Sequence, residues 1–403
     1  MDKIVGSMTT ASRPPSGTLE SLLAELRSEP PDRIAARVHE TWLRFAGDPP
    51  SALVVFGCGQ LGRFVLPGVR AAGLGPLAYC DNSPRTWGTE VDGVPVLAPA
   101  DAAARFGAAV PFLVAIYNAS PVRSQLADMG CRRIVPYPAF FWEHSACLPA
   151  EERLALPQYI AGHFAEIEAA YGLLEDDQSR REFIAQIRWR CLLDYDCLPP
   201  RDPPADMYFP PGLVHLSASE VLVDCGAFDG DSIRLFLEKT GGRFARIQAF
   251  EPDAGNIAAL GAYLAALPEE TRSRVEVQRC ALGRQDGLVR FHAEGTVGSK
   301  VSGAGAVEIP CRTLDSALAG CIPTIVKMDI EGAEPDAIAG AARLAMECHP
   351  ILAVCAYHRC QDLWTLPGLL KAANPEYRVF LRRYAEECWE TVYYAIPPER
   401  LGA

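Results

Sequence analysis

Two acidic residues and a histidine follow two apolar runs in the C-terminal third of the chain. Asp329 and Glu331 lie in "TIVKMDIEG", and His358 follows "ILAVCAY". Because an imidazole titrates near neutral pH, we expect His358 to act as a general base. We expect Asp329 and Glu331 to orient a hydroxyl group beside it. These three residues are therefore the predicted catalytic residues.

Alternatives for this group stay open. His358 could be a structural residue that bonds a backbone carbonyl. Asp329 and Glu331 could themselves accept a proton or hold a divalent cation, but the sequence offers no third ligand, so we predict no metal. Lys327 could pair with the two acids in a structural role, and Glu334 is interpreted only as a charge at a helix N-terminus.

A second set of residues has the pattern of a cofactor site. The stretch "VLVDCGAFDGDSIRLF" predicts a strand that ends at Asp224, a turn through Gly226 and Gly230, and a helix. The D-x-G-x-x-x-G spacing lets the backbone border a ligand that has no pyrophosphate. Glu251 ends the next predicted strand, where it can accept hydrogen bonds from both ribose hydroxyls, and Ala281 would end the third strand beside adenine. This order of residues suits S-adenosylmethionine.

An earlier glycine loop, Gly57-Cys58-Gly59-Gln60-Leu61-Gly62, follows a predicted strand and precedes a predicted helix. Asp81 ends the next strand, about 20 residues further on, as in dinucleotide-binding folds. The region holds only one mononucleotide half, however, so we interpret the loop as structural or as an ancillary binding site. A nicotinamide-dependent oxidoreductase that uses this loop is the alternative function.

The positions of these motifs depend on two series of alternating strands and helices. The first series contains "ALVVFG", "PLAYCD", "VPVLAP", "VPFLVAIY" and "RRIVPYP"; the second begins at Val221 and includes "RIQAFEP", "VEVQRCALG" as its third strand, and "TVYYAIP" as its last. We predict four segments: a leader with helices at 1–50, a Rossmann-like α/β domain at 51–145, a helical connector at 146–206, and a second α/β domain at 207–403.

Composition excludes several classes of protein. With 50 acidic and 38 basic residues among 403, the formal net charge is −12, which argues against a nucleic-acid partner. The 14 cysteines are scattered and lack zinc-like spacing. No apolar run approaches the roughly 18 residues of a membrane span, and the N-terminus has no signal-peptide core. We therefore expect a cytoplasmic protein without a membrane span.

The segment 207–403 resembles the FkbM-like methyltransferases. The resemblance rests on six motifs in order, running from "MYFPPGLVHLSASEVLVDCGAFDGDSIRLF" and "FEPDAGNIAAL" through "CALGRQDG", "IPCRTLDSAL" and "IVKMDIEGAEPDAI" to "AYHRCQDLWTLPGLL". It implies a class I methyltransferase fold, with a seven-stranded, mainly parallel sheet whose last strand is antiparallel. Phe228 departs from the pattern, because many methyltransferases have glycine there.

The same resemblance implies S-adenosylmethionine as the methyl donor and a hydroxyl group, often on a sugar or natural product, as the acceptor. We therefore expect an O-methyltransferase with a small-molecule or glycan acceptor; a non-catalytic module that binds S-adenosylmethionine is a further alternative. Homo-oligomerisation stays open. The Gly- and Ser-rich stretch 294–305 is either an active-site cover or a surface loop. Four further residues are candidates to line an acceptor pocket: Tyr357, Trp364, Arg382 and Tyr384.

Overall fold

The computed structural model describes residues 17–292, 300–301, 305 and 307–401. Most of the predicted cover loop at 294–305 and the first sixteen residues of the leader therefore lie outside the described residues. The chain forms two compact units. The first comprises Met1–Phe164, Ile184–Pro200 and Ala385–Trp389, and the second comprises Ala165–Phe183, Arg201–Tyr384 and Glu390–Ala403.

The first unit contains a six-stranded sheet in the order β3-β4-β2-β1-β5-β6. Its strands are β1 (Ala52–Phe56), β2 (Gly75–Cys80), β3 (Glu90–Val91), β4 (Val94–Leu97), β5 (Phe112–Val114) and β6 (Ile134–Pro136). All neighbours are parallel except β3 and β4. Because parallel strands need crossover connections, helices follow most of these strands. The predicted parallel α/β series is confirmed.

The helices before the second sheet are α1 (Leu19–Arg27), α2 (Pro31–Ala46), α3 (Gln60–Ala71), α4 (Pro99–Phe106), α5 (Ser120–Asp128), α6 (Tyr137–His144), α7 (Pro157–Ala161), α8 (Phe164–Gly172) and α9 (Asp177–Leu192). Helix α1 begins where the Thr18 hydroxyl accepts the Ser21 N–H, as the preference of threonine for N-caps predicts. Short 3₁₀ helices lie at Ser145–Cys147, Tyr195–Cys197, Pro204–Asp206 and Pro398–Arg400.

The second unit contains the remaining strands, which form two sheets. They are β7 (Val221–Cys225), β8 (Arg246–Phe250), β9 (Val275–Gln278), β10 (Ala281–Leu282), β11 (Gly287–His292), β12 (Lys300–Val301), β13 (Val307–Arg312), β14 (Ile325–Met328), β15 (Ile351–Cys355), β16 (Arg378–Arg383) and β17 (Thr391–Ile396). Its helices after β7 are α10 (Asp231–Thr240), α11 (Ala254–Ala265), α12 (Glu269–Arg272), α13 (Leu314–Ala317), α14 (Glu334–Ala339), α15 (Ala342–Glu347) and α16 (Asp362–Ala373).

The larger sheet of this unit has seven strands in the order β16-β17-β15-β14-β7-β8-β9. Only β17 runs antiparallel to its neighbours, β15 and β16, while the other pairs are parallel. Strands β14 and β15 are buried along their whole length, which explains their near-continuous apolar sequences. The predicted seven-stranded class I methyltransferase sheet with an antiparallel last strand is therefore confirmed.

A four-stranded sheet in the order β10-β13-β11-β12 corrects one detail of the predicted second series. The stretch "VEVQRCALG" was expected to form one strand, but β9 ends at Gln278, where its pairing with Phe250 of β8 also ends. Ala281 and Leu282 pair instead with Cys311 and Arg312 of β13. The chain thus leaves the larger sheet because a different partner strand satisfies the next backbone groups.

Within the described part of the chain, no helix combines the length and the apolar composition needed to cross a membrane.

Candidate active site

The first part of the site lies where β7 and β14 end side by side. Their parallel pairing places Asp224 opposite Lys327, and the Lys327 ammonium lies 3.0 Å from Asp224 Oδ1. Lys327 also donates to the carbonyl of Gly226 at 2.7 Å. One alternative from the sequence paired Lys327 with Asp329 and Glu331, whereas its ion pair in the structure is with Asp224. This buried pair fixes the start of the glycine turn.

Burial and charge act against each other in this pair. Burial raises the pKa of Asp224 to about 6, although Lys327 lowers it. Burial opposes the charge on Lys327, but the carboxylates of Asp224, Asp329 and Asp231 outweigh it and hold the Lys327 pKa above its ordinary value. Lys327 is therefore the cation that offsets a group of acids at this edge of the sheet.

The turn after β7 requires glycine at two positions. Gly226 has a φ of +80°, and a Cβ added there would lie 1.9 Å from the Asp329 carbonyl oxygen. Gly230 has a φ of +90°, and its Cβ would lie 2.7 Å from the Tyr263 ring. Phe228, between them, has a φ of +47°, in the left-handed region that favours glycine. The departure at Phe228 is therefore a strained residue within the turn.

Glu251 connects the second strand end to this turn. Its Oε2 accepts the Phe228 N–H at 3.0 Å, and its Oε1 accepts the Asp253 N–H at 2.9 Å and the Asn256 amide at 3.3 Å. Burial raises the pKa of Glu251, although these hydrogen bonds lower it. A carboxylate has about four acceptor positions, so one remains for a ligand hydroxyl. The expectation that Glu251 bonds both ribose hydroxyls would need more than this one position.

Ala281 was expected at the end of the third strand of the larger sheet. It is buried and lies instead in β10 of the four-stranded sheet, three residues after β9 ends. A role beside adenine stays a prediction.

The predicted catalytic residues lie together at the carboxyl ends of β14 and β15. His358 Nε2 lies 3.2 Å from Asp329 Oδ1 and 3.5 Å from Glu331 Oε1. The two strands are parallel neighbours, so the segments that follow them meet at one edge of the sheet. The His358 side chain is only 1% exposed, whereas those of Asp329 and Glu331 are 23% and 18% exposed. The two carboxylates are therefore the more accessible members of the group.

Glu334, interpreted from the sequence only as a helix N-terminal charge, is in contact with His358. It begins α14, as a helix N-terminal charge should, but it is fully buried, and its Oε1 lies 2.8 Å from His358 Nδ1. The same oxygen accepts the Ile330 N–H at 2.9 Å. Burial disfavours a charge on His358, but Glu334, Asp329 and Glu331 outweigh it and raise its pKa well above the usual range. Both ring nitrogens therefore face carboxylates of the protein, which does not favour the predicted role of His358 as the base.

Asp329 has two tyrosine partners. The Tyr208 hydroxyl donates to Asp329 Oδ2 at 2.8 Å and the Tyr357 hydroxyl donates to Oδ1 at 3.3 Å. Burial raises the pKa of Asp329, but His358, Lys327 and Tyr208 outweigh it and hold the pKa below its ordinary value. Tyr208 lies before β7, within the first of the six motifs of the resemblance, but was not predicted as a site residue. Asp329 is therefore held as an oriented carboxylate.

The other proposed lining residues have different surroundings. Arg382 forms an ion pair with Asp176 at 2.6 Å, and the Tyr384 hydroxyl lies 2.7 Å from that of Tyr394. Trp364 is buried in α16. Tyr357 is the candidate whose hydroxyl donates to a predicted catalytic residue, Asp329.

In the glycine loop of the first unit, Asp81 forms hydrogen bonds within the protein. Asp81 Oδ2 accepts the Cys58 N–H at 3.0 Å and the Cys58 thiol at 3.2 Å, while Oδ1 accepts the Ser83 N–H at 2.8 Å. Gly57 has a φ of +98°, and a Cβ on Gly62 would lie 1.8 Å from the Gly57 carbonyl oxygen. Internal hydrogen bonds and close packing therefore explain the glycines and Asp81 of this loop without a bound ligand.

Comparisons with known proteins agree with this architecture. A crystal structure of the methyltransferase FkbM from Methylobacillus flagellatus KT matches with a TM-score of 0.73 and 23% sequence identity, covering 94% of this chain and 99% of that chain. At this identity the likeness shows a shared fold. No curated protein matches the sequence significantly.

Two other structures match with much lower scores. They are a precorrin-6y C5,15-methyltransferase from Geobacter metallireducens GS-15, with a TM-score of 0.29, 13% identity and coverage of 46% of this chain and 83% of that chain, and the methyltransferase domain of bacterial CtHen1-CN, with a TM-score of 0.28, 13% identity and coverage of 45% and 91%.

The family model described as the methyltransferase FkbM domain matches residues 224–388. This range begins at Asp224 and includes Glu251, Asp329, Glu331 and His358. Residues 224–388 of the chain are therefore similar to the methyltransferase FkbM domain.

Proposed function

We propose that the protein transfers the methyl group of S-adenosylmethionine to a hydroxyl group on a sugar, glycan or natural product. The observation that carries the proposal is the link between Glu251 and the glycine turn, through the Phe228 N–H. This link joins the two strand ends that would hold the ribose and the amino-acid end of the donor. The acidic edge formed by Asp224, Asp231 and Asp329 also suits a cationic donor.

When bound, S-adenosylmethionine supplies a methyl group that is already activated by the sulfonium charge. The protein's residues then have mainly to position the reactants and remove one proton. Glu251 would accept a hydrogen bond from a ribose hydroxyl, and the backbone from Gly226 to Gly230 would border the rest of the methyl donor. Asp329, held by two tyrosine hydroxyls, would orient the acceptor hydroxyl together with Glu331.

The proton acceptor is the open part of this mechanism. His358 was predicted as the base, but its Nδ1 faces Glu334 and its pKa is held high, so the geometry favours a role other than proton removal. Asp329→Asn and His358→Ala would separate the roles, because an amide still bonds a hydroxyl but is a poor base. General-base loss costs about 10²- to 10⁴-fold in rate. Only the variant that lacks the base should show this loss with unchanged donor affinity.

The test of the proposed function is transfer of a trideuteromethyl group from labelled S-adenosylmethionine to a panel of hydroxylated acceptors. The panel should contain free sugars, nucleotide-linked sugars and alcohols of natural-product type, with products analysed by mass spectrometry. We expect a methyl ether on at least one acceptor, and slower formation of it by Asp329→Asn. The exposed Asp336→Asn on α14 is the control, since Asp336 bonds Arg284 at the surface. Donor binding without transfer to any acceptor would favour the non-catalytic module.

A further inference from the structure

Three metal-ligating side chains meet at the ends of β14 and β15. One ligand atom each from Asp329, Glu331 and His358 can be chosen so that all lie within 4.8 Å of one another. Two carboxylates and one imidazole form a plausible ligand set, but a cluster of acids is common on protein surfaces. The buried histidine distinguishes this group from a surface cluster of acids.

The state of the His358 ring supplies an independent observation. Nε2 is buried and makes no well-aligned hydrogen bond, yet it points at carboxylate oxygens 3.2 and 3.5 Å away. If Nδ1–H donates to Glu334, a neutral ring has its lone pair on Nε2, facing two negatively charged oxygens. This contact is repulsive unless a positive charge lies there. The charge is either a proton on Nε2 or a cation between the three groups.

The surroundings of the ligands favour a cation. A histidine that binds a metal usually donates its other N–H to a carboxylate, and ligating carboxylates are themselves hydrogen-bonded. Glu334, fixed by the Ile330 N–H, provides the first partner. The hydroxyls of Tyr208 and Tyr357 provide the second, on Asp329. The same carboxylates would also stabilise a proton on the ring, so direct cation binding has to separate the two cases.

We propose that Asp329, Glu331 and His358 bind a divalent cation. The nitrogen ligand favours a first-row ion such as Mn²⁺ over Mg²⁺, which prefers oxygen ligands and keeps its waters. Three protein ligands leave coordination positions open on the more exposed side, where Asp329 and Glu331 reach solvent. This inference departs from the expectation of no metal, which was based on the lack of a third ligand.

The cation has a chemical use that rests on the proposed function. An acceptor hydroxyl bound at an open position would lose its proton more readily, because a Lewis acid stabilises the alkoxide. The oxygen then forms its bond to the methyl carbon as the carbon–sulfur bond breaks, and the released proton goes to solvent. This route does not require His358 to act as the general base. The binding of the cation itself does not depend on the proposed function.

Mn²⁺ binding to chelator-treated full-length protein, without S-adenosylmethionine, tests the inference. We expect one site per chain by electron paramagnetic resonance titration, and a nitrogen coupling from imidazole in the bound-Mn²⁺ spectrum of the wild type. Glu331→Gln and His358→Gln should each weaken binding at least tenfold. Glu334→Gln, which removes only outer support, should weaken it about 10- to 100-fold. His349→Gln is the matched control, because His349 is a partly exposed histidine that pairs with Glu399.

The possible outcomes separate the two proposals. Absence of a site in the wild type, or a bound Mn²⁺ without nitrogen coupling, would overturn the cation site even if S-adenosylmethionine binds and methyl transfer occurs. A Mn²⁺ affinity that Glu331→Gln and His358→Gln leave unchanged would also overturn it. Mn²⁺ binding with nitrogen coupling but no donor binding would support the cation site and remove the proposed function. The wild-type spectrum needs no variant, so a misfolded variant leaves the test intact.

Discussion

Replacing Lys327 by methionine should destabilise the second unit in a pH-dependent way. The substitution keeps most of the volume but removes the ammonium that lies 3.0 Å from Asp224 and donates to the Gly226 carbonyl. The two side chains are 2% and 0% exposed. Because a buried unpaired carboxylate costs more than a protonated acid, Asp224 should bind a proton in the variant.

The pH dependence follows from the Asp224 pKa. Burial raises this pKa from 3.8 to about 6 in the intact pair, where Lys327 lowers it. A raised carboxyl pKa contributes stability that is present below the unfolded value and is lost as the pH rises through the folded value. Without Lys327, the pKa of Asp224 in the folded protein rises further, so the variant continues to lose stability above pH 6. Above pH 6, the free energy of unfolding of the variant should therefore decrease relative to that of the wild type by about 1.4 kcal/mol per pH unit.

At pH 7 this carboxyl contribution is about 1.4 kcal/mol, and the Gly226 carbonyl that loses its donor adds about 1 to 3 kcal/mol. We expect Lys327→Met to be destabilised by about 2 to 4 kcal/mol in total at pH 7. At pH 5 we expect only the loss from the Gly226 carbonyl. Hydrogen exchange of the β7 and β14 amides, corrected for intrinsic rates, measures the local opening free energy even if the two units unfold separately.

Lys239→Met is the control, because Lys239 forms a partly exposed pair with Asp206 in the same unit. Such surface pairs contribute at most about 1 kcal/mol. A difference between Lys327→Met and the wild type that stays constant from pH 5 to pH 8 would refute the argument for Asp224.

Three further results are expected. Gly226→Ala should lower the melting temperature far more than Gly241→Ala, because only the first Cβ would meet backbone, the Asp329 carbonyl, although both positions have positive φ; equal losses would contradict the packing argument. Gly59→Trp should leave methyl transfer unchanged and the purified protein should bind no NAD, whereas micromolar NAD binding that this variant abolishes would revive the oxidoreductase alternative. Tyr208→Phe should slow methyl transfer at least tenfold with unchanged donor affinity, since a hydrogen bond to a charged group contributes about 1.5 to 3 kcal/mol; full turnover would show that Tyr208 does not hold Asp329 for catalysis.

The sequence predicts the larger sheet well because its strands have simple signals. Strands such as β14 and β15 are apolar along their whole length, and glycine and acidic residues follow at their ends. The meeting of Asp329, Glu331 and His358 follows from two adjacent parallel strands that end at the same edge. Placement of residues at strand ends is a property of the topology, which the order of motifs predicts.

The parts that the sequence does not predict depend on partners distant in the chain. Lys327 pairs with Asp224 because β14 lies beside β7, a contact between residues far apart in sequence. Glu334 has the pattern of an exposed helix N-terminus, and only the fold shows that it is buried against His358. Ala281 leaves the larger sheet because β13, thirty residues later, offers it a partner.

Calorimetric titration of S-adenosylmethionine into the wild type and Glu251→Ala tests the central claim most directly. The wild type should bind the donor, and the variant should bind it about 10- to 150-fold more weakly, which corresponds to about 1.5 to 3 kcal/mol for a hydrogen bond to a charged group. Glu276→Ala, an exposed acid on the neighbouring strand β9, is the control and should bind as the wild type does. Circular dichroism must show that Glu251→Ala is folded, since Glu251 also accepts backbone N–H groups. Unchanged affinity in the folded Glu251→Ala variant, or no binding by the wild type, would contradict the account.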